Sequence, residues 1–285
     1  MKILVTGVNG QLGHDVVNEL DKRGITCRGV DIQDFDLTIE ADVLYAIQSY
    51  APDAVIHCAA YTAVDRAEDE KELCYNINVL GTRYVAQACK KLGCKLMYIS
   101  TDYVFDGQGE NPWTPDSPKR PCNYYGESKS LGEDEVTALL ASYFIVRISW
   151  VFGKNGNNFV KTMLRLGKER DSLTVVADQF GSPTYTYDLA PLLCDMIHTK
   201  HYGIYHATNE GVCSWYDFAR AIIEQAELPA KVLPITTDQY PTKAVRPKNS
   251  RMSKDKLTQY GFSLLPPWQD ALKHYLQTIM PEKLC

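Results

Sequence analysis

The sequence lacks most features that announce a ligand by composition. It has no CxxC pair, although nine cysteines occur in 285 residues. An odd, scattered set with members in apolar stretches (Cys58, Cys89, Cys194) predicts reduced, mostly buried thiols, not a disulfide framework. The six histidines fall in no ligand spacing, so no metal site is expected. A formal net charge of −5 without a basic stripe excludes nucleic acid as the main partner. No apolar run approaches the roughly twenty residues of a membrane span. The first strand-like run begins at Lys2, leaving no room for a signal peptide, and a cytoplasmic location is expected. There is no internal repeat and no low-complexity linker. What is there is ordinary: 45% hydrophobic and 23% charged residues, enough for one large or two modest domains.

The first half alternates short apolar runs with helical patterns. Strands are predicted at Lys2–Thr6, Thr26–Val30, Ala54–Cys58, Lys95–Ser100 and Tyr143–Ile148. Helices are predicted near Gln11–Arg23, Ala41–Tyr50, Lys71–Leu92 and Tyr125–Leu140. Gln108–Cys122, with four prolines, reads as a loop. Alternation of this length predicts an α/β fold with a Rossmann-type, doubly wound parallel sheet over residues 1–150, joined by about 184–200. After Trp150 the regularity weakens. Helices at Asn157–Lys168, Tyr187–His198, Trp215–Glu227 and Pro267–Ile279, with strands at Leu173–Val176, Ile204–Ala207 and Lys231–Pro234, predict a smaller α+β substrate-binding part. It spans mainly 151–285 and interleaves with the first.

Gly7-Val-Asn-Gly10-Gln11-Leu12-Gly13 lies between the first predicted strand and the first predicted helix. Glycines there permit a tight turn and let a pyrophosphate approach backbone N–H groups at the helix's positive end. Asp31 ends the second predicted strand, where an acidic residue can accept from both adenosine ribose hydroxyls, which favours NADH. Arg28 could instead serve a 2′-phosphate, but it is three residues earlier and is expected to leave the opposite face. An ordinary turn role for Asp31 remains the alternative.

Tyr125-Gly-Glu-Ser-Lys129 places a phenol and an ammonium four residues apart on one helix face. A nearby ammonium can bring a phenol's pKa, about 10 when unperturbed, toward working pH. That arrangement suits a tyrosine that gives a proton to a carbonyl oxygen while hydride arrives at carbon. Ser100-Thr101 ends the preceding predicted strand and completes a Ser/Thr–Tyr–Lys set. Tyr124 is the adjacent competitor, but only Tyr125 has the four-residue spacing to Lys129.

On these residues the chain resembles the extended short-chain dehydrogenase/reductases over nearly its whole length. More narrowly, it is similar to the dTDP-4-dehydrorhamnose reductases. The closer likeness rests on Cys58-Ala-Ala-Tyr-Thr-Ala-Val-Asp65, Ser100-Thr-Asp-Tyr-Val-Phe105, Tyr125–Lys129 and Ser149-Trp-Val-Phe152. Asn157-Asn-Phe-Val-Lys161, Asp178-Gln-Phe-Gly-Ser-Pro-Thr184 and Arg246-Pro-Lys-Asn-Ser250 extend it. The resemblance implies reduction of a 4-keto nucleotide sugar by NADPH or NADH. Tyr125 would be the proton donor, Thr101 would hydrogen-bond the carbonyl, and Lys129 would hold the nicotinamide ribose and lower the Tyr125 pKa. It further implies that Asp36 and Leu37 sit at the adenine, and that Ala59, Ala60 and Thr62 line the nicotinamide side. Trp150 would be a platform for the sugar, with Asp102 and Tyr103 at its hydroxyls and Asn158 and Arg246 at the phosphates or base. For Trp150 a core role, and for Asn158 and Arg246 a solvated-loop role, stay open. Trp215-Tyr-Asp217 is expected to pack a helix start capped by Ser214.

Some members of the family dimerise through a magnesium site built from glutamates. Here the first helix begins His14-Asp15, and no clear glutamate stands near Tyr187-Asp188. The expectation is therefore no metal requirement and a monomer or homodimer. Two rival readings keep the fold. One is a nucleotide-sugar epimerase or dehydratase, for which Asp102 beside Thr101 lacks a following Glu. The other is a non-catalytic regulatory subunit resembling that of methionine adenosyltransferase, against which the complete Thr101/Tyr125/Lys129 set argues.

Overall fold

The computed structural model describes residues 1–280. Its centre is a six-stranded sheet in the order β10-β5-β4-β3-β1-β2, with every pairing parallel. In chain order the elements begin with β1 (Ile3–Thr6), α1 (Gln11–Lys22), β2 (Cys27–Val30), α2 (Glu40–Tyr50) and β3 (Ala54–His57). Next come α3 (Lys71–Tyr75), α4 (Thr82–Leu92), β4 (Lys95–Thr101), α5 (Tyr124–Leu139) and β5 (Tyr143–Ile148). The remainder is β6 (Val151–Phe152), α6 (Phe159–Glu169), β7 (Ser172–Val176), β8 (Phe180–Gly181), β9 (Thr184–Tyr185) and α7 (Thr186–Ile197). It ends with β10 (Gly203–His206), β11 (Cys213–Ser214), α8 (Trp215–Gln225), β12 (Lys231–Ile235), β13 (Asn249–Ser250), α9 (Asp255–Gln259) and α10 (Trp268–Ile279).

Alternation along the central strands feeds two cores. Ile3 and Val5 of β1 face one side, with Ile56, Met97 and Phe144, against Leu12, Val16 and Leu20 of α1 and Leu189 and Leu193 of α7. Leu4, Val55, Leu96 and Ile145 face the other side, against Val43 and Ile47 of α2 and Val85 and Cys89 of α4. A sheet buried on both faces explains why these strands read as continuous apolar runs. A third core gathers Phe152, Val160, Phe218, Leu272 and Tyr275 from β6, α6, α8 and α10. Small sheets flank it: β7 with β12, β6 with β9, and β8 between β11 and β13.

Two elements depart from the sequence reading. The strand read at Ile204–Ala207 as part of the smaller region is β10, and it extends the central sheet beside β5. The helix expected over Lys71–Leu92 is interrupted by a π-helical stretch at Asn76–Gly81. Within that stretch Asn78 is buried and points back at the loop after β3. Its Oδ1 accepts from the Tyr61 N–H at 2.8 Å, and its Nδ2 donates to Ser128 Oγ at 2.9 Å. One polar side chain thus ties the β3 loop to α5, and the helix ladder widens where it does so.

Candidate active site

Sheet order reverses between β1 and β3, the place where open α/β sheets bind ligands. A cleft of about 540 Å³ runs there along the C-terminal strand ends. Gly7 opens it with φ of +74°, and a Cβ on Gly7 would lie 2.6 Å from the Ala59 nitrogen. A Cβ on Gly13 would lie 2.3 Å from the Gly7 carbonyl oxygen. Only glycine lets the loop, α1 and the segment after β3 approach this closely. Gly10 is the N-cap of α1 and supplies no side-chain cap, so the first-turn N–H groups of Gln11, Leu12 and Gly13 line the cleft uncapped. That is the donor set an anionic pyrophosphate requires. Asp31 also lines the cleft, its carboxylate accepting from the N–H groups of Asn9 (2.9 Å) and Ile32 (2.8 Å). Arg28 pairs with Asp34 at 3.6 Å instead. Asp36 and Leu37 line an adjoining hollow of about 250 Å³ that shares Gly7, Asp31, Ala59 and Ala60 with the main cleft.

The far end is built from side chains that are buried (Thr101, Asp102, Lys129) or half-buried (Tyr103, Tyr125). Asn123 caps α5 by accepting from the Gly126 N–H at 2.8 Å, and Glu68 accepts from the Tyr124 N–H at 2.8 Å. The start of α5 presses against the turn after β4, where a Cβ on Gly126 would meet the Tyr103 carbonyl oxygen at 2.1 Å. Tyr125 is thereby set edge-on to Tyr103, ring centroids 5.6 Å apart. Lys129, one turn on, is 2% exposed and donates to the Ile99 carbonyl at 2.8 Å while lying 4.0 Å over the Tyr98 ring. Thr101 accepts from the Tyr103 N–H at 3.2 Å and donates to Asp102 Oδ1 at 3.0 Å. Thr101, Asp102, Tyr103, Tyr125 and Lys129 all line the one cleft, as do Ala59, Ala60 and Thr62.

Electrostatics here follow burial. Loss of water pushes the Lys129 ammonium down to about 7. It raises the Tyr125 phenol above its ordinary value, opposed by the Thr101 hydroxyl. The expected lowering of the Tyr125 pKa by Lys129 is thus not found. Burial is the largest influence on the phenol, Lys129 is not among those that act on it, and the Lys129 side chain donates to the Ile99 carbonyl. A phenol held in its acid form is still the state a proton donor needs.

The RmlD substrate binding domain family matches residues 1–280. The dTDP-4-dehydrorhamnose reductase of Escherichia coli (strain K12) is 37% identical over 293 residues, covering 98% of each chain. The spore coat polysaccharide biosynthesis protein SpsK of Bacillus subtilis (strain 168) is 40% identical over 276 residues, 97% of each. The crystal structure of dTDP-4-dehydrorhamnose reductase from Bacillus anthracis str. Ames in complex with NADP superposes with a TM-score of 0.95. It is 45% identical, covering 97% of this chain and 99% of that one. The chain belongs to the dTDP-4-dehydrorhamnose reductase family.

Other site residues expected from that family fall in different places. Trp150 lines the cleft with φ of +49°, a strained conformation for a bulky residue. Its indole stacks on Trp215, centroids 3.8 Å apart, and fills the space a Cβ on Gly181 would need. Ser214 caps α8 as expected, in a reciprocal pair with Asp217. Asn158 is outside the cleft lining: it caps α6, and its two Nδ2 protons are shared among three acceptors within 3.0 Å, Gln11 Oε1, the Gly153 carbonyl and the Tyr275 hydroxyl. Arg246 is likewise outside the cleft lining, paired with Asp65 at 2.5 Å. Among the described residues no cluster of His, Cys, Asp and Glu is placed to hold a metal. Asp15 instead accepts from the Thr186 hydroxyl at 2.5 Å, and Asp188 accepts from Asn209 at 2.8 Å.

Sequence reasoning missed a layer beneath the site. Glu133, on α5 one turn after Lys129, makes a bidentate pair with buried Arg147, both contacts 2.8 Å, and accepts from Ser100 at 2.6 Å. This pins the end of β4 next to Thr101. Arg147 also donates to the Pro115 carbonyl at 3.1 Å, anchoring the proline loop. A charged residue inside the apolar run YFIVRI was the available signal, because such a residue needs a buried partner.

Proposed function

We propose that this chain reduces the C4 keto group of dTDP-4-dehydro-L-rhamnose to dTDP-L-rhamnose, using NADPH or NADH, with Tyr125 as proton donor. The observation that carries the reading is one cleft with an uncapped, glycine-lined helix start at one end and Thr101, Tyr125 and Lys129 at the other. A bound nicotinamide dinucleotide would be held by the Gly7–Gly13 backbone, Asp31 and Lys129, and would supply hydride. Thr101 orients the carbonyl, and the half-buried Tyr125 phenol delivers its proton to the developing alkoxide, in a site whose fixed dipoles replace water. Trp150, backed by Trp215, offers the sugar a flat apolar face.

Asp31 favours a free ribose diol, whereas the relative from Bacillus anthracis was crystallised with NADP, so both nicotinamides belong in the test. We read the protein as cytoplasmic, and as a monomer or homodimer. Stoichiometric oxidation of NADPH or NADH by dTDP-4-dehydrorhamnose, with dTDP-L-rhamnose as product, is the expected result. Turnover of a nucleotide sugar without net cofactor consumption would point to an epimerase and overturn the assignment.

A further inference from the structure

The Thr101 hydroxyl has one proton and two lone pairs. In this structure one lone pair takes the Tyr103 N–H and the proton goes to Asp102 Oδ1. Thr101 therefore has nothing left to donate to a substrate carbonyl while Asp102 is charged. Asp102 is 2% exposed, lines the cleft, and its Oδ2 has no hydrogen-bond partner. Ser250 lies close enough to favour the carboxylate, yet no hydrogen bond of normal geometry reaches Oδ2. A carboxylate oxygen that is buried and without a hydrogen-bond partner is costly, and a proton on it lowers the cost.

We propose that Asp102 is a positioning residue that sets the direction of the Thr101 hydroxyl. As a carboxylate its Oδ1 accepts a charge-assisted hydrogen bond from the Thr101 hydroxyl. Protonation at Oδ2 leaves Oδ1 a neutral, weaker acceptor, so the hydroxyl can turn and donate to the substrate carbonyl. The proposal rests on the ketone-reduction reading above.

Burial already pushes the Asp102 carboxyl up to about 6. The groups facing it are Tyr103 on its own turn, Tyr125 and Lys129 on α5, Cys122 in the preceding loop, and Arg246 beyond Tyr103. Burial raises both phenols and the Cys122 thiol, and Arg246 is held by Asp65. Only Lys129, at about 7, changes charge near the same pH.

Two measurements test this. The first is single-turnover hydride transfer against pH in the native chain and in Asp102→Asn. Native kcat should rise as pH falls from about 7.5 to about 5.5, by roughly twenty-five-fold at most, the ratio of protonated Asp102 at those values. The rise should vanish in Asp102→Asn, while any Lys129 titration persists. An acid-side rise with a midpoint near 6 that survives Asp102→Asn, or a flat native profile, overturns the proposal; a surviving inflection near 7 belongs to Lys129.

The second needs no turnover. It follows the Asp102 carboxyl by NMR with carbon-labelled aspartate, using Asp102→Asn to assign the signal. Thr101→Val, which removes the donor that favours the carboxylate, should raise the midpoint by about one unit. An unmoved midpoint contradicts the coupling. Failure to oxidise either nicotinamide with the dehydro-sugar would sink the reduction reading alone, and the titration would still decide the Asp102–Thr101 link.

Discussion

The two ends of the cleft are made of different material. The Gly7–Gly13 end is backbone: uncapped N–H groups brought close by residues without side chains. The Thr101–Lys129 end is side chain: a buried carboxyl and ammonium with two half-buried phenols, on a helix start and a strand end. Backbone donors carry no charge that titrates, so the first end should work alike at any moderate pH. The second end has its charges set by burial, so it should be costly to fold and sensitive to pH. Binding and chemistry should then be separable by mutation.

The sharpest break in that comparison is Lys129→Met. It should lower turnover by about 10² or more and yet raise the melting temperature at pH 7. Folded Lys129 gives up its proton near 7, against an ordinary 10.5. Between those values the unfolded chain holds the extra proton, so stability rises with pH across that window. The penalty that methionine relieves is therefore full below about 7 and fades toward pH 10. Melting curves of both proteins at several pH values check the sign.

Glu133→Ala should do the reverse, destabilising by roughly 3–5 kcal/mol because it leaves Arg147 buried without its partner. Denaturant titration reads it. Gly13→Ala should leave the reacting end intact but weaken nucleotide binding at least tenfold, since its Cβ would press on the Gly7 carbonyl. Calorimetry with NADPH and NADH tests that. The smallest effect expected is from Asn123→Ala, about 1 kcal/mol of stability from the lost α5 cap. A modest fall in kcat should accompany it as Tyr125 loosens.

The same contrast explains what was legible in the sequence. The β1–glycine–α1 unit, Thr101 at a strand end and Tyr125–Lys129 on one helix face are local patterns, and local geometry produces them. Asn158 was legible in principle, as an asparagine just before an apolar helical run, but only a ligand role and a solvated-loop role were weighed for it, not the cap it forms. Arg246 with Asp65, Trp215 behind Trp150 and β10 beside β5 join residues far apart in the chain, where periodicity carries no information. The π-helical stretch at Asn76–Gly81 was invisible because its cause, the Asn78 bonds to Tyr61 and Ser128, is tertiary.

The central claim is that Tyr125 gives the proton while the glycine end holds the cofactor. It is tested most directly by Tyr125→Phe, measured for both hydride transfer to dTDP-4-dehydrorhamnose and affinity for NADPH and NADH. The account predicts a fall in kcat of about 10²–10⁴ with cofactor affinity nearly unchanged. Undiminished hydride transfer in Tyr125→Phe would contradict it.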